Sequence, residues 1–188
     1  MTSFLDDPKV RAAVFPLSVE FYHQAGELGL LGEDIELLEG NLVKKMAKSP
    51  LHSWLVQFLF TLLQPSLRPG VSARMEQPLT LARSEPEPDL AVVRGGPADF
   101  RHAHPTTAEL VIEVAISTVE VDRQKAAIYA AAGIEEYWIV IPAADCVEIH
   151  RGLVDGTYAQ RLTLTSPARL ESSVLSGFAV ELGALFQP

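Results

Sequence analysis

The most hydrophobic part of the chain is the stretch of residues 109–141, in which two apolar runs flank a helical pattern. Residues 110–116 are mainly β-branched and residues 137–141 are apolar throughout, as is typical of short strands buried on both faces of a sheet. Between them, residues 121–131 have helical spacing, and Gly133 is a natural helix end. The order strand, helix, strand predicts a right-handed crossover between two parallel strands.

Glu113 is the one charged residue inside the first of these runs. A carboxylate within an apolar strand is costly to desolvate, so it either takes up a proton or lies beside a cation. Both situations are typical of functional sites, because such sites hold ionisable groups with shifted pKa values. Glu113 is therefore the first candidate site residue.

Upstream of this stretch, the alternation of residues predicts a β-hairpin. Residues 35–39 and 42–46 are two short runs of strand character, and Gly40-Asn41 between them has the composition of a tight turn. The hairpin places the carboxylate of Glu36 among apolar neighbours. Glu36 is therefore a second acidic residue in an unusual position.

A helix is predicted directly after the hairpin. Ser49 is a suitable N-cap, and Pro50 is favoured at the first helical position. Residues 51–63 are apolar nearly all round, which predicts a buried helix whose core stripe includes Leu62. His52 lies in the first turn.

Two further strands follow this helix. Residues 71–76 alternate between apolar and polar positions, as expected for a half-buried strand, and residues 90–93 are continuously apolar. Pro86 and Pro88 hold the chain extended before the second of these strands. This arrangement places Asp89 at the start of a buried strand.

The C-terminal third predicts an antiparallel meander and a covering segment. Residues 146–150 and 158–164 read as two strands joined by a turn at residues 152–156. Residues 170–186 then carry spaced apolar side chains that fit a segment lying over the sheet. The whole pattern indicates an α/β (α+β mixed) fold with a mixed sheet flanked by helices.

Length and composition fit one domain covering residues 1–188. The chain is 48% hydrophobic and 21% charged, which is ordinary for a globular protein. No apolar run approaches the roughly 20 residues that cross a bilayer, and the N-terminus is acidic where a signal peptide is basic. We therefore predict a cytoplasmic protein. The single cysteine, Cys146, excludes an internal disulfide and a thiolate metal cluster.

The formal net charge of −9 argues against a protein that coats nucleic acid through bulk electrostatics. The charge is unevenly distributed, however, because residues 41–83 contain six cations and one anion. This segment predicts a local basic face, in which Lys44, Lys45 and His52 are candidate substrate-binding residues. An ordinary solvated surface explains the same pattern.

Three residues form a candidate chemical site. Asp89 opens one buried strand, Glu113 lies inside the next, and Lys125 lies on the helix that follows. If the strands pair, a divalent ion would relieve the repulsion between the carboxylates, and oxygen ligands favour Mg²⁺ or Mn²⁺. The ammonium would offset charge that develops in phosphodiester hydrolysis. A purely structural ion pair remains the other interpretation, since such pairs also perturb acidic groups.

The order of motifs resembles the PD-(D/E)XK nuclease superfamily, and most closely its Uma-type branch of small bacterial endonucleases. The resemblance covers about residues 35–150. The matching stretches are Glu36-Leu37 with Gly40 and Leu42-Val43, Ser49-Pro50-Leu51-His52, Pro88-Asp89-Leu90-Ala91-Val92-Val93, Glu113-Val114-Ala115-Ile116-Ser117, Asp122-Arg123-Gln124-Lys125, and Ala132-Gly133-Ile134-Glu135-Glu136-Tyr137-Trp138-Ile139-Val140.

This resemblance implies a restriction-endonuclease-like core and a role for each candidate. Asp89 and Glu113 would ligate the metal, Lys125 would assist the attacking water, and Glu36 would be an additional acidic site residue. The superfamily usually has a lysine two residues after the strand carboxylate, where this chain has Ala115. The resemblance implies that Lys125 replaces that lysine.

The sequence thus predicts an endonuclease that uses Mg²⁺ or Mn²⁺ to hydrolyse phosphodiester bonds in DNA. The competing hypothesis is a catalytically silent nucleic-acid-binding or protein-assembly module on the same fold, to which the net charge of −9 gives weight. A homodimer is expected where a small nuclease must address two strands.

Overall fold

The computed structural model describes residues 7–187 and contains five α-helices and ten strands within that range. Residues 1–6 and 188 lie outside the described range. The interpretation of the acidic N-terminus, and the two ends of the predicted domain of residues 1–188, therefore lie outside the described residues as well. In chain order the elements are α1 (Pro8–Ala12), α2 (Val19–Glu27), β1 (Ile35–Leu38), β2 (Asn41–Lys44), α3 (Pro50–Leu63), β3 (Val71–Met75), β4 (Leu90–Arg94), β5 (Leu110–Val114), α4 (Val119–Ala131), β6 (Glu136–Ile141), β7 (Cys146–Val154), β8 (Thr157–Thr165), β9 (Arg169–Glu171), β10 (Ala179–Glu181) and α5 (Leu182–Phe186).

The central element is a six-stranded mixed sheet in the order β3-β4-β5-β6-β7-β8. Strands β5 and β6 are parallel and α4 joins them, so the predicted order of strand, helix and parallel strand is confirmed. The other neighbouring pairs are antiparallel. Because β4 and β5 pair with Leu90 opposite Ile112, the residues just before β4 lie beside the end of β5. That register determines where the candidate site forms.

Both faces of the sheet are covered, as the continuous apolar strands predict. On one face, α3 and the C-terminal segment pack against the sheet, and the Trp138 and Phe178 rings stack with centroids 5.3 Å apart. On the other face, α4 supplies Tyr129, which meets Tyr137 edge to face at 4.8 Å. The predicted covering role of residues 170–186 is confirmed, since Leu175, Phe178, Val180, Leu182 and Leu185 are all buried.

The hairpin of β1 and β2 forms, but its predicted turn is wrong by one residue. The two turn residues are Glu39 and Gly40, which have φ values of 49° and 78°, and Asn41 already pairs with Leu38 in the ladder. The Asn41 side chain donates to the carbonyls of Leu38 and Glu39, so its turn chemistry acts from the flanking position. Glu36 is buried, but its carboxylate lies beside polar groups, Lys125 Nζ and the Glu87 backbone N–H, where apolar neighbours were predicted.

Helix α3 begins as predicted but is not buried on all sides. Ser49 accepts a hydrogen bond from the His52 backbone N–H, and Pro50 is the first helical residue. Leu55, Val56, Leu59 and Leu63 are buried, whereas Leu51, Trp54 and Leu62 are exposed. The placement of Leu62 in the core stripe was therefore wrong, because only one side of this nearly uniform helix faces the sheet.

The meander at the C-terminal side of the sheet has longer strands than predicted. Strand β7 continues through Gly152 to Val154, and the turn is at Asp155 and Gly156. Both turn residues have positive φ, which Asp and Gly tolerate. Across residues 7–187, no helix is long and apolar enough to cross a membrane.

Candidate active site

The structure brings Asp89 and Glu113 together at the end of β5. The Asp89 backbone N–H donates to Glu113 Oε2 at 3.2 Å, and the Val114 backbone N–H donates to Asp89 Oδ2 at 2.7 Å. The antiparallel register of β4 and β5 makes this reciprocal contact possible, because Asp89 comes one residue before the first paired position. The two acids are therefore held by backbone groups of the neighbouring strand.

Lys125 reaches the same place from α4. Its Nζ lies 3.1 Å from Glu113 Oε1, 3.1 Å from Glu36 Oε1 and 3.7 Å from Asp122 Oδ1. The lysine is only 6% exposed, and each of the three acids is buried as well. The predicted convergence of Asp89, Glu113, Lys125 and Glu36 is thus present in the structure.

Burial dominates the electrostatics of this cluster. Burial raises the pKa of Glu113 to about 8; the nearby Lys125 opposes the rise, and the acids around it add to it. The pKa of Asp122 is raised as well, again mainly through burial. Burial by itself lowers the pKa of Lys125, but Glu113, Glu36 and Asp122 together more than offset this, so its pKa lies above its ordinary value. Lys125 is a permanent cation at neutral pH, balanced by several acids.

The raised pKa of Glu113 predicts a pH-dependent stability. The folded state holds the Glu113 proton up to about pH 8, whereas the unfolded state loses it near the ordinary value of 4.5. The stabilisation from this proton is complete below pH 4.5 and is lost as pH rises through 8. Urea unfolding between pH 5 and 9 should show that the free energy of unfolding declines with rising pH in wild type. Glu113→Gln should lack this decline. Parallel curves would contradict the raised pKa.

Tyr129 holds Glu113 from the same helix as Lys125. Its hydroxyl donates to Glu113 Oε1 at 2.8 Å within the core. We expect Tyr129→Phe to lower the unfolding free energy by about 1–3 kcal/mol, because a buried acceptor loses its donor. The matched control is Tyr158→Phe, which loses a bond to the Ile134 carbonyl at a partly exposed position where water can replace it. An equal loss of unfolding free energy in Tyr129→Phe and Tyr158→Phe would contradict the view that the buried bond from Tyr129 to Glu113 is the more stabilising one.

His52 and Glu76 complete the surroundings of Asp89. His52 Nε2 lies 3.0 Å from Asp89 Oδ1, and this hydrogen bond raises the pKa of the imidazole despite partial burial. Glu76 follows β3, and its backbone N–H donates to the Asp89 carbonyl at 3.0 Å. One ligand atom from each of His52, Glu76 and Asp89 lies within 4.8 Å of the others. The set is chemically suited to a divalent ion.

These side chains line a cavity of about 240 Å³. Its wall also contains Lys44, Lys45 and Lys48, from β2 and the connection to α3. The three lysines already have acidic partners, at 3.4 Å in Asp34, 2.9 Å in Glu87 and 2.8 Å in Glu76, respectively. Acids from outside the basic segment of residues 41–83 thus pair with Lys44 and Lys45, whereas Lys48 is paired with Glu76, the one anion of the segment itself.

Asp122, Tyr129 and Glu76 are site residues that the sequence interpretation missed. Asp122 and Tyr129 lie three residues before and four residues after Lys125, so helical spacing puts them on the face of Lys125. That spacing was an available signal. Glu76 depends on the pairing of β3 with β4, which no local pattern reveals.

Residues 20–183 match the family Uma2, whose description is "Putative restriction endonuclease". The chain belongs to the Uma2 family. The PD-(D/E)XK-like, Uma-type resemblance of the sequence is therefore confirmed. No curated protein matches this Uma2 chain.

A solved structure shows the same fold as the Uma2 chain. It is from Anabaena variabilis and is described as "a putative nuclease belonging to DUF820". The two chains superpose with a TM-score of 0.74 at 17% identity, over 91% of this chain and 98% of that chain. The predicted restriction-endonuclease-like α/β core is confirmed. The description of the family points to a nuclease.

Proposed function

We propose that this protein is a cytoplasmic endonuclease that hydrolyses phosphodiester bonds in DNA with the help of Mg²⁺ or Mn²⁺. The observation that carries the proposal is the convergence of Asp89, Glu113 and Lys125 on one cavity. Two acids and an ammonium from three separate elements are positioned by backbone hydrogen bonds and burial. Structural ion pairs need no cavity, whereas a site for chemistry does.

The residues present fit a divalent ion. Asp89 Oδ1 lies 3.0 Å from His52 Nε2, and within residues 7–187 Glu113 Oε2 accepts one bond, at 3.2 Å, so it retains a lone pair. We assign Asp89 and Glu113 as ligands. Such an ion, when bound, supplies an activated water and stabilises charge on phosphoryl oxygens.

Lys125 acts as a cation in this proposal and not as a base. Its raised pKa keeps the amine protonated, and a protonated amine cannot abstract a proton from water. Its Nζ can donate a hydrogen bond to the attacking oxygen and offset the negative charge that develops on the phosphate. Glu36 and Asp122 keep the ammonium charged and hold it in place through their contacts at 3.1 and 3.7 Å.

Lys44, Lys45 and His52, which all line the cavity, are assigned to substrate binding. The lysines line the cavity in ion pairs with Asp34 and Glu87. The pair of Lys44 and Asp34 is exposed, and such pairs are weak, commonly below about 1 kcal/mol, so a phosphate can replace Asp34. The side chains of Lys45 and Glu87 are only 23% and 24% exposed, so this pair is the harder of the two to separate. This exchange allows a protein of net charge −9 to bind nucleic acid locally.

The test is a cleavage assay on supercoiled DNA, single-stranded DNA and RNA. We expect the purified chain to nick DNA in Mg²⁺ or Mn²⁺, to stop with EDTA, and to resume when the ion is restored. Cleavage that continues in EDTA would contradict a metal-dependent mechanism. Binding without cleavage in either ion would overturn the enzyme and favour the silent binding or assembly module.

A further inference from the structure

The two oxygens of Asp89 face different partners. Oδ2 accepts the Val114 backbone N–H at 2.7 Å, whereas Oδ1 lies 3.0 Å from His52 Nε2. Glu76 contributes a carboxylate oxygen to the same space, and the three ligand atoms lie within 4.8 Å of one another. This set shares Asp89 with the pair of Asp89 and Glu113, but its other two residues are different and one of them is a nitrogen donor.

The positive charge beside Glu76 is supplied by the ammonium group of Lys48. Its Nζ lies 2.8 Å from Glu76 Oε2, and its side chain is 44% exposed. An exposed lysine can leave its partner at small cost, because such ion pairs are weak and the ammonium is well hydrated. The charge of Glu76 is therefore balanced by a group that a bound ion can displace.

We propose that His52, Glu76 and Asp89 form a cation position that prefers a first-row transition ion such as Mn²⁺ over Mg²⁺, and that Lys48 exchanges with the ion. The inference rests on the proposed function only in sharing Asp89. Imidazole is a good ligand for transition ions, whereas Mg²⁺ is held through carboxylates and water. Replacement of His52 should therefore remove the difference between the Mn²⁺ and Mg²⁺ affinities, whereas the binding of both ions should persist.

The site is expected to be of modest affinity. His52 Nδ1 is buried, and it has no hydrogen-bond partner among residues 7–187. A ligating histidine usually donates its second ring N–H to an acceptor, and loss of that acceptor costs roughly 10–100-fold in metal affinity. An exchangeable ion is the consequence, in contrast to a permanently bound structural metal.

Release of Lys48 gives the ion a second effect. Lys48 lies on the wall of the same cavity as Lys45, so an ammonium freed from Glu76 becomes available to a phosphate oxygen. Ion binding would thus convert a neutralised wall into a cationic one. The order of events that follows is ion first, nucleic acid second.

The experiment is calorimetric titration of the metal-free full chain with MnCl₂ and with MgCl₂. We expect wild type to bind Mn²⁺ at least about tenfold more tightly, a difference of about 1.4 kcal/mol. His52→Gln should abolish the difference, Glu76→Gln should weaken both ions, and Lys48→Met should raise the Mn²⁺ affinity severalfold. The matched controls His102→Gln, Glu171→Gln and Lys9→Met alter exposed side chains and should leave both affinities unchanged.

A persistent Mn²⁺ preference in His52→Gln, or a lower affinity in Lys48→Met, would overturn the inference. Pulsed electron paramagnetic resonance on wild type with Mn²⁺ tests it without any variant: nitrogen coupling from a bound imidazole is expected, and its absence sinks the assignment. The proposed function fails separately, if Asp89→Asn cleaves DNA as wild type does. Full cleavage in wild type with no nitrogen coupling would leave the nuclease intact and remove only this site.

Discussion

Replacement of Glu113 by glutamine is expected to lower the rate of metal-dependent DNA cleavage by at least about 10³-fold. The amide keeps the shape of the side chain, and its oxygen can accept from Lys125 and Tyr129. Unlike the carboxyl, however, it cannot release a proton to an incoming ion, so it cannot supply the anionic oxygen that we assign to the ion. Loss of a metal's transition-state stabilisation is worth several kcal/mol, and about 4 kcal/mol corresponds to 10³ in rate.

This loss should not reflect unfolding. Because Glu113 is a buried carboxyl with a pKa of about 8, a neutral amide is compatible with its burial, and the amide loses only the bond from the Asp89 backbone N–H to Oε2 at 3.2 Å. Single-turnover nicking of plasmid DNA measures the rate, and thermal melting measures the fold. Glu171→Gln is the control, since it makes the same chemical change at an exposed position. Cleavage within about tenfold of wild type would remove Glu113 from the ligand set.

Replacement of Lys125 by methionine is expected to lower the unfolding free energy by roughly 3–5 kcal/mol. Methionine fills a similar volume without charge, so the effect isolates the ammonium. Glu36, Asp122 and Glu113 would then lie buried and close together without their shared cation. Breaking a buried ion cluster by removal of one partner is among the most destabilising single changes known in proteins.

Urea unfolding at pH 7 measures this loss, and Lys9→Met at an exposed position is the control. A second substitution sharpens the result. Glu36→Gln added to Lys125→Met should recover part of the lost stability, because it removes one of the uncompensated acids. A loss below about 1 kcal/mol, or additive losses in the double variant, would contradict the view of Lys125 as the cation that holds the cluster together.

Much of the site could be predicted from the sequence because its key residues break local rules. Glu113 stands out as a charge in an apolar strand, and Asp89 stands out because two prolines lead the chain to it. Lys125 was a candidate because an ammonium on the following helix can complete an acidic site, and the family resemblance then implied that it replaces the lysine usual at the position of Ala115. Glu113 is the clearest case of a residue that conflicts with the pattern around it, and such conflicts concentrate at functional sites.

The parts of the site that could not be predicted depend on contacts between segments that are distant in sequence. Glu76 meets Asp89 only through the pairing of β3 with β4, and the acids that neutralise Lys45 and Lys48 come from the segment before β4 and the end of β3. The basic character of residues 41–83 therefore gave an incomplete picture of the surface. Local composition reports charge, whereas only the fold reports which charges are already paired.

The errors in the fold have similar causes. The hairpin turn moved by one residue because Asn41 uses its side chain from outside the turn, and either position is compatible with a Gly-containing two-residue loop. The exposed side of α3 could not be distinguished, since an apolar helix with little periodicity does not indicate which face meets the sheet. Burial there is decided by the position of the sheet.

The most direct test of the central claim is the nicking rate of supercoiled DNA by Asp89→Asn, beside Asp155→Asn, in buffer with Mg²⁺ or Mn²⁺. Asp155 lies in the exposed turn between β7 and β8, where asparagine is equally compatible with its positive φ. We predict no measurable nicking by Asp89→Asn and wild-type nicking by Asp155→Asn, both proteins being folded. Equal nicking by the two variants would contradict it.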